Sequence, residues 1–180
     1  MLRDSAYWDE FYSLEHDEIK EPSKFAKFIF NNFLRNKNTA SLIEFGCGNG
    51  RDSLYFNAKG IDVVAIDGSH IAIENLQKQN QKASWICADF TAPLNLKDKF
   101  DICYSRFTLH AIDDIAELGL IKNVKNLLKP SGLFVVEARS INDDKFGVGK
   151  AVGEREFISD GHYRRFIDPD IFKSNLIQNG

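Results

Sequence analysis

Ser41-Leu42-Ile43-Glu44-Phe45-Gly46-Cys47-Gly48-Asn49-Gly50 is the stretch whose reading decides the architecture. A short apolar run bounded by glycine reads as a buried strand. The glycines at 46, 48 and 50 let the backbone turn sharply and approach a ligand with no side chain between them. A helical pattern begins directly afterwards, near Arg51 or Asp52. Strand, glycine turn and helix in that order describe one corner of a layered α/β sheet, whose ligands bind beyond the carboxyl ends of the strands.

The pattern repeats downstream. Asp52–Lys59 reads as helix, Ile61–Ile66 as strand, Ile71–Gln79 as helix, and Ser84–Ala88 and Phe100–Tyr104 as strands. Asp113–Leu128 is helical through Ile115, Leu118, Ile121, Val124 and Leu128, and Leu133–Glu137 is a fifth strand after the turn Lys129-Pro130-Ser131-Gly132. Strands alternating with helices predict a mostly parallel sheet flanked by helices, a Rossmann-like α/β fold. Upstream, Ser23 caps a helix over about 23–35 that carries Phe25, Phe28, Ile29 and Phe33 on one face. Residues from about 140 to 167 mix Gly147, Gly149, Gly153 and Gly161 with charged and aromatic residues and show no period. A long irregular segment of that kind is expected to be functional or disordered. Asp168 and Pro169 then open a final helix.

With 180 residues, 43% hydrophobic and 27% charged, the chain has the length and composition of one globular domain. Within it, 1–38 is expected to form a helical cap, 39–138 a ligand-binding core, and 139–180 a substrate loop with the last helix. The formal charge of −3 argues against a nucleic-acid partner. Arg3, Asp4, Asp9, Glu10, Glu15, Asp17 and Glu18 leave no room for a signal peptide, and no stretch has the length and apolarity of a membrane span. A cytoplasmic location is expected. Cys47, Cys87 and Cys103 have neither a close-spaced pair nor a neighbouring His, so no disulfide framework and no metal site is expected. Cys87 and Cys103 read as small buried residues.

The glycine spacing narrows the ligand. A dinucleotide fingerprint needs its third glycine at 51, where Arg51 stands, and no Lys-Ser or Lys-Thr pair closes a triphosphate loop. Asp67 ends the second strand, where a carboxylate can accept hydrogen bonds from both hydroxyls of a ribose; a cap for the helix beginning near Ser69 is the alternative role. Asp89 follows the third strand, placed to accept from an exocyclic amine of a purine, with Phe90 beside it to pack on the ring.

Together these segments resemble the class I S-adenosylmethionine-dependent methyltransferases over roughly residues 40 to 138. The likeness rests on Glu44 to Gly50, Ile66-Asp67-Gly68-Ser69, Ala88-Asp89-Phe90, Phe100-Asp101-Ile102-Cys103-Tyr104 and the run Leu127-Leu128-Lys129-Pro130-Ser131-Gly132. It implies S-adenosylmethionine as cofactor and S-adenosylhomocysteine as product. Gly46, Cys47 and Gly48 would lie along the methionine part, Asp67 at the ribose and Asp89 at the adenine amine with Phe90 on the ring, and Glu44, Arg51, Gly68, Ser69 and Ala88 would also bind the cofactor. Ser105 and Arg106 would line the cofactor and the acceptor. Tyr7-Trp8-Asp9-Glu10-Phe11-Tyr12 resembles the aromatic lead-in that covers the cofactor in small-molecule members, with Tyr12 on the cofactor and Tyr7 on the acceptor; simple packing on the first helix is the alternative. Family members usually end in an antiparallel hairpin, which is not expected before Gly180. Its lack would leave the fifth strand as an edge that weakens the site or promotes self-association, so either a monomer or a homodimer is open.

Methyl transfer asks the protein mainly for alignment and water exclusion. Where the acceptor is a neutral hydroxyl, His110 or His162 would take its proton. Arg106, Arg139 and the run His162-Tyr163-Arg164-Arg165 supply cations suited to a carboxylate or phosphate, a solvated charged loop and a core-facing His110 being the competing readings. The expected reaction is transfer to oxygen, in preference to nitrogen, on a small anionic metabolite. The same Arg and His pattern is similar to methyltransferases of bacterial surface-polysaccharide modification, including those assigned to capsular phosphoramidate. A silent binding module or scaffold that keeps this fold without turnover, or a truncated form with impaired activity, is the alternative.

Overall fold

The computed structural model describes residues 5–14, 21–37, 39–79 and 82–179; Glu15, Asp17, Glu18 and Gly180 lie outside them. Parallel strands β1 (Ser41–Phe45), β2 (Asp62–Asp67), β3 (Ser84–Cys87), β4 (Phe100–Arg106) and β5 (Leu128–Glu137) form a sheet in the order β3-β2-β1-β4-β5. Helices α3 (Arg51–Ala58), α4 (His70–Gln79) and α5 (Asp114–Leu127) make the crossovers, preceded by α1 (Ser5–Ser13) and α2 (Lys24–Ile29) and followed by α6 (Pro169–Asn179). β1 sits in the centre and is buried along Leu42–Phe45, as a parallel strand covered on both faces is, with Glu44 the one charged side chain in the run. Two core layers form on its faces: one around Leu42, Phe56 and Tyr104, the other around Ile43, Phe45 and Leu120.

Caps and buried hydrogen bonds explain the boundaries. Ser23 Oγ accepts from Ala26 N at 2.9 Å, Asp113 Oδ1 from Ala116 N at 2.9 Å, and Asp168 Oδ1 from Asp170 N at 2.9 Å, each satisfying an amide the helix leaves unpaired. The first of these helices does not run on as regular α: Phe30–Leu34 widens to a π turn, with Arg35 N donating to Phe30 O. Buried Asp52 accepts from Ser23 N (2.8 Å), Ser23 Oγ (2.7 Å) and Tyr104 Oη (2.8 Å), fastening α2 and α3 to β4. The strand assignment of β5 starts at Leu128, earlier than expected, because Leu128 and Leu133 both pair with β4 while residues 129–132 bulge outward, Ser131 at φ +63°. Lys129 Nζ ties that bulge to Asp101 (2.9 Å) and Ser41 (3.1 Å).

Two expectations need correction. Cys87 is exposed, since β3 is an edge strand whose alternation sends Trp85 inward instead. The segment from 140 to 167 is ordered into an antiparallel sheet of β6 (Lys150–Ala151), β7 (Glu156–Ser159) and β8 (His162–Arg165). Its hairpin turns on Asp160 (φ +52°) and Gly161 (φ +79°), the Asp-Gly pair that suits a two-residue turn. Phe146, Phe157 and Phe166 meet edge to face beneath it, with centroids 5.4–5.7 Å apart.

What holds this small sheet to the main body is Arg165. It is 1% exposed and donates to Glu117 Oε2 on α5 at 2.6 Å, to Asp114, and to Leu109 O at 3.3 Å. Glu117, itself 2% exposed, also accepts from Asn175 of α6 at 2.9 Å. A buried charge stripped of its partner is strongly destabilising. Glu117→Ala is expected to lower stability by about 3 kcal/mol, Asp114 limiting the loss, read as a drop in urea midpoint at unchanged slope.

Candidate active site

Beyond the carboxyl ends of β1, β2 and β4 lies a cavity of about 330 Å³, within the range of small-molecule sites. Its floor is the loop after β1. Gly46 N and Cys47 N both donate to Ile66 O, at 2.8 and 3.1 Å, so the loop crosses directly over the end of β2. Gly46 (φ +73°) and Gly48 (φ +54°) hold left-handed backbone. A Cβ on Gly46 would come within 2.5 Å of Thr108 Oγ1, and one on Gly48 would strike the Tyr12 hydroxyl. Both the backbone conformation and the space therefore require glycine.

Asp67 closes one side. Its Oδ2 accepts from Gly48 N at 2.7 Å and its Oδ1 from Ser69 N at 2.8 Å. It thus serves as the turn anchor and still has lone pairs for further donors. Burial raises its pKa, while the Ser69 and Gly48 amides pull it back. Glu44, fully enclosed below the loop, accepts from Ser53 Oγ at 2.5 Å; burial, and then the charge of Asp52, push its carboxyl well above the ordinary range. Burial, and then Asp67, likewise push the Cys47 thiol well up, which makes it an unreactive wall group.

Helix α1 arches over this floor. Asp9 Oδ1 accepts from Ser69 Oγ (2.7 Å) and Ile71 N (3.3 Å). Trp8 and Tyr12 stack with centroids 6.3 Å apart and both line the cavity. Burial, and then the charge of Asp67, raise the Tyr12 hydroxyl's pKa, so it remains a neutral phenol.

The opposite wall is cationic. Arg106, Arg139 and Arg164 line it together with His110. Arg106 stacks on Phe107 at 4.2 Å and pairs with Glu137 at 2.5 Å; Arg139 lies 5.5 Å from the same ring and donates from Nη1 to both oxygens of Asp143. Phe107 holds φ +55°, uncommon for a bulky residue, and this bend turns the chain from β4 into the short 3-10 turn Leu109–Ala111 that carries His110. His110 is 5% exposed and its Nδ1 has no hydrogen-bond partner. Burial, and then Arg164, Arg139, His162 and Arg106, drive its pKa from 6.5 to about 3.

The cavity thus gathers Tyr12, Glu44, Gly46, Cys47, Gly48 and Arg51 with Asp67, Gly68, Ser69 and Phe90, and, across it, Arg106, His110, Arg139 and Arg164. Other residues singled out in the sequence stand elsewhere. Ala88, Asp89 and Ser105 are not among the lining residues. Asp89 Oδ1 accepts from Thr91 N and Oγ1 at 3.0 and 2.6 Å, and Ser105 is buried within β4. His162 and Tyr7 stack on each other at 4.7 Å behind the arginine wall. Tyr163 is buried in the small sheet. Arg165 was expected at the acceptor; it faces away and is spent on Glu117 and Asp114, because alternate residues of a strand point to opposite faces, and Arg164 takes the cavity side. Trp8, Thr108, Ala111 and Ile112 also line the site, and only Trp8 had a signal in the sequence, its place in the aromatic lead-in.

His110 makes the stability depend on pH. Its native pKa lies below the unfolded value, so its contribution is whole above about pH 6.5 and is lost as pH falls toward about 3. His110→Asn is expected to flatten the decline between pH 6.5 and 4 in urea titrations; an unchanged decline would mean that His110 is not held neutral.

Comparison with known proteins agrees with this geometry. A family model described as a methyltransferase domain matches residues 14–167. The malonyl-[acyl-carrier protein] O-methyltransferase of Pseudescherichia vulneris is 29% identical over 100 residues, which are 55% of this chain and 39% of that enzyme, so the chain spans about two-fifths of that relative. The CcbJ methyltransferase of Streptomyces caelestis superposes with a TM-score of 0.79 at 14% identity, over 99% of this chain and 88% of the other. The glycopeptide N-methyltransferase MtfA, in a complex with S-adenosyl-L-methionine, gives 0.69 at 17% identity over 92% and 86%. A central five-stranded parallel sheet, a glycine loop crossing the end of β2, an acidic β2 terminus and a family match over most of the chain lead to one conclusion: this protein belongs to the methyltransferase domain family.

Proposed function

We propose that the chain binds S-adenosylmethionine and transfers its methyl group to oxygen, in preference to nitrogen, on a small anionic acceptor. The observation that carries this reading is a single cavity with two chemically distinct walls. One is a glycine loop beside a buried carboxylate; the other is an arginine cluster around a neutral histidine.

The first wall fits the cofactor. Gly46 and Gly48 present bare backbone, Asp67 retains acceptor capacity for ribose hydroxyls, and Tyr12 and Trp8 offer aromatic cover. When bound, the sulfonium supplies an electrophilic methyl carbon. The protein's own share is to orient the acceptor and to remove water. Arg106, Arg139 and Arg164 draw an anion to the far wall, where their planar guanidinium groups suit carboxylate or phosphoryl oxygens. The same wall suits the phosphoramidate acceptor of the capsule-modifying enzymes that the sequence resembles. No described helix is long and apolar enough to cross a membrane.

His110 is the proton acceptor in this reading. Burial, and then Arg164, Arg139, His162 and Arg106, depress its basicity. An anion seated among the arginines offsets the part of that depression that comes from their charge, so acceptor binding raises the basicity of His110. A proton leaving an acceptor hydroxyl passes to the His110 ring.

Calorimetric titration with S-adenosylhomocysteine tests the first half: saturable binding is expected, lost in Asp67→Ala. Release of S-adenosylhomocysteine on incubation with hydroxylated carboxylates or phosphate esters tests the second. His110→Asn is expected to lower kcat by roughly 10²–10⁴ with cofactor binding intact. Cofactor binding with no turnover on any acceptor would favour a silent binding module.

A further inference from the structure

The cavity's arginines are not equivalent, and the difference specifies the acceptor's charge; the argument rests on the methyltransferase reading above. Arg106 is paired with Glu137 at 2.5 Å, and Arg139 is held by both oxygens of Asp143 at 3.0 and 3.2 Å. Each therefore brings a guanidinium whose charge is already matched. Arg164 differs in making no ion pair among the described residues; its Nη1 atom, like Arg106 Nε, is buried without a hydrogen-bond partner. It lines the cavity, with its guanidinium carbon 6.0 Å from the Trp8 ring. Asp160 and Tyr7 attract it only at longer range. A buried, unsatisfied guanidinium donor is costly unless a ligand completes it.

We propose that Arg164 is the anion anchor of the acceptor site, and that the group it takes is singly charged: a carboxylate, or a phosphoryl group with one negative charge. The matched pairs around it supply hydrogen-bond donors without further net charge. A monoanion on Arg164 leaves the wall neutral. A dianion leaves an unmatched negative charge beside Glu137 and Asp143, in a setting where burying unpaired charge is unfavourable. Position on the strand explains why this arginine is the exposed partner of the two: β8 turns Arg165 into the Glu117 pair and presents Arg164 to the cavity.

The test uses the full chain with and without saturating S-adenosylhomocysteine. Trp8 fluorescence is followed as acetate or dimethyl phosphate, fixed monoanions at neutral pH, or sulfate, a dianion, is added. Trp8→Phe identifies the signal that belongs to that ring. Both monoanions are expected to bind more tightly than sulfate, and Arg164→Gln to weaken them about tenfold or more, with Arg164→Lys recovering part of the loss. S-adenosylhomocysteine affinity, measured on the same variants, is expected to stay within about twofold, the change of a residue outside the cofactor wall. Tighter binding of sulfate, or monoanion binding indifferent to Arg164→Gln, would overturn the assignment while leaving the methyltransferase reading in place. Failure of the wild-type chain to bind S-adenosylhomocysteine would instead remove the acceptor role together with the reading it rests on.

Discussion

Parallel pairing of β1 with β2 on one side and β4 on the other is the constraint from which the site follows. Phe45 lies level with Ile66 and Ser105, so the three strands end at one height and their following segments must share one edge. Ile66 O then meets two amides of the glycine loop, and Asp67 meets a third. Because backbone hydrogen bonds set this register, the loop's position does not depend on any long side chain. A ligand approaching the edge meets amides and a carboxylate already oriented, which is where open α/β sheets place their ligands.

The far wall has a different origin. It is assembled from β4, from the segment after β5, and from β8 of a sheet that shares no strand with the main one. The Arg165–Glu117 pair is what relates the last of these to the rest. Through Leu109 O it also fixes the turn that carries His110. One buried arginine thus sets the relation between the histidine and its neighbour Arg164. Alternation along a strand makes adjacent arginines do opposite work: Arg165 is paired with Glu117 and Asp114 in the interior, and Arg164 is left facing the cavity.

Electrostatics and packing converge on His110. Enclosure disfavours its charged form, and the cations around it do so further. The same cations line the cavity, so the charge of a group placed beside them and the basicity of His110 are linked through one field. On the cofactor side the signs are reversed: Glu44, Asp52 and Asp67 crowd beneath the loop, and enclosure keeps the Glu44 carboxyl protonated to unusually high pH. The two walls therefore suit groups of opposite charge within one cavity.

The central sheet was legible in the sequence because its signals are local. Buried parallel strands are continuous apolar runs, glycines mark positions of left-handed backbone, and Ser23, Asp113 and Asp168 announce helix starts through side chains that cap their own helices. Asp67 and the loop from Glu44 to Gly50 could be assigned to the site for the same reason. The small sheet was less visible: β6 has two residues and β7 and β8 four each, too few for a period, although Asp160-Gly161 marked the turn. What the sequence by itself determined was the succession of strands and helices along the chain and the glycine loop, which depend on near neighbours in the chain. Which arginine lines the cavity, which is buried, and that His110 Nδ1 stands without a hydrogen-bond partner near three arginines were decided only by tertiary structure. Those properties depend on pairings between residues about fifty positions apart, such as Arg165 with Glu117 (|i−j| 48) and with Leu109 (|i−j| 56), and no local pattern encodes them.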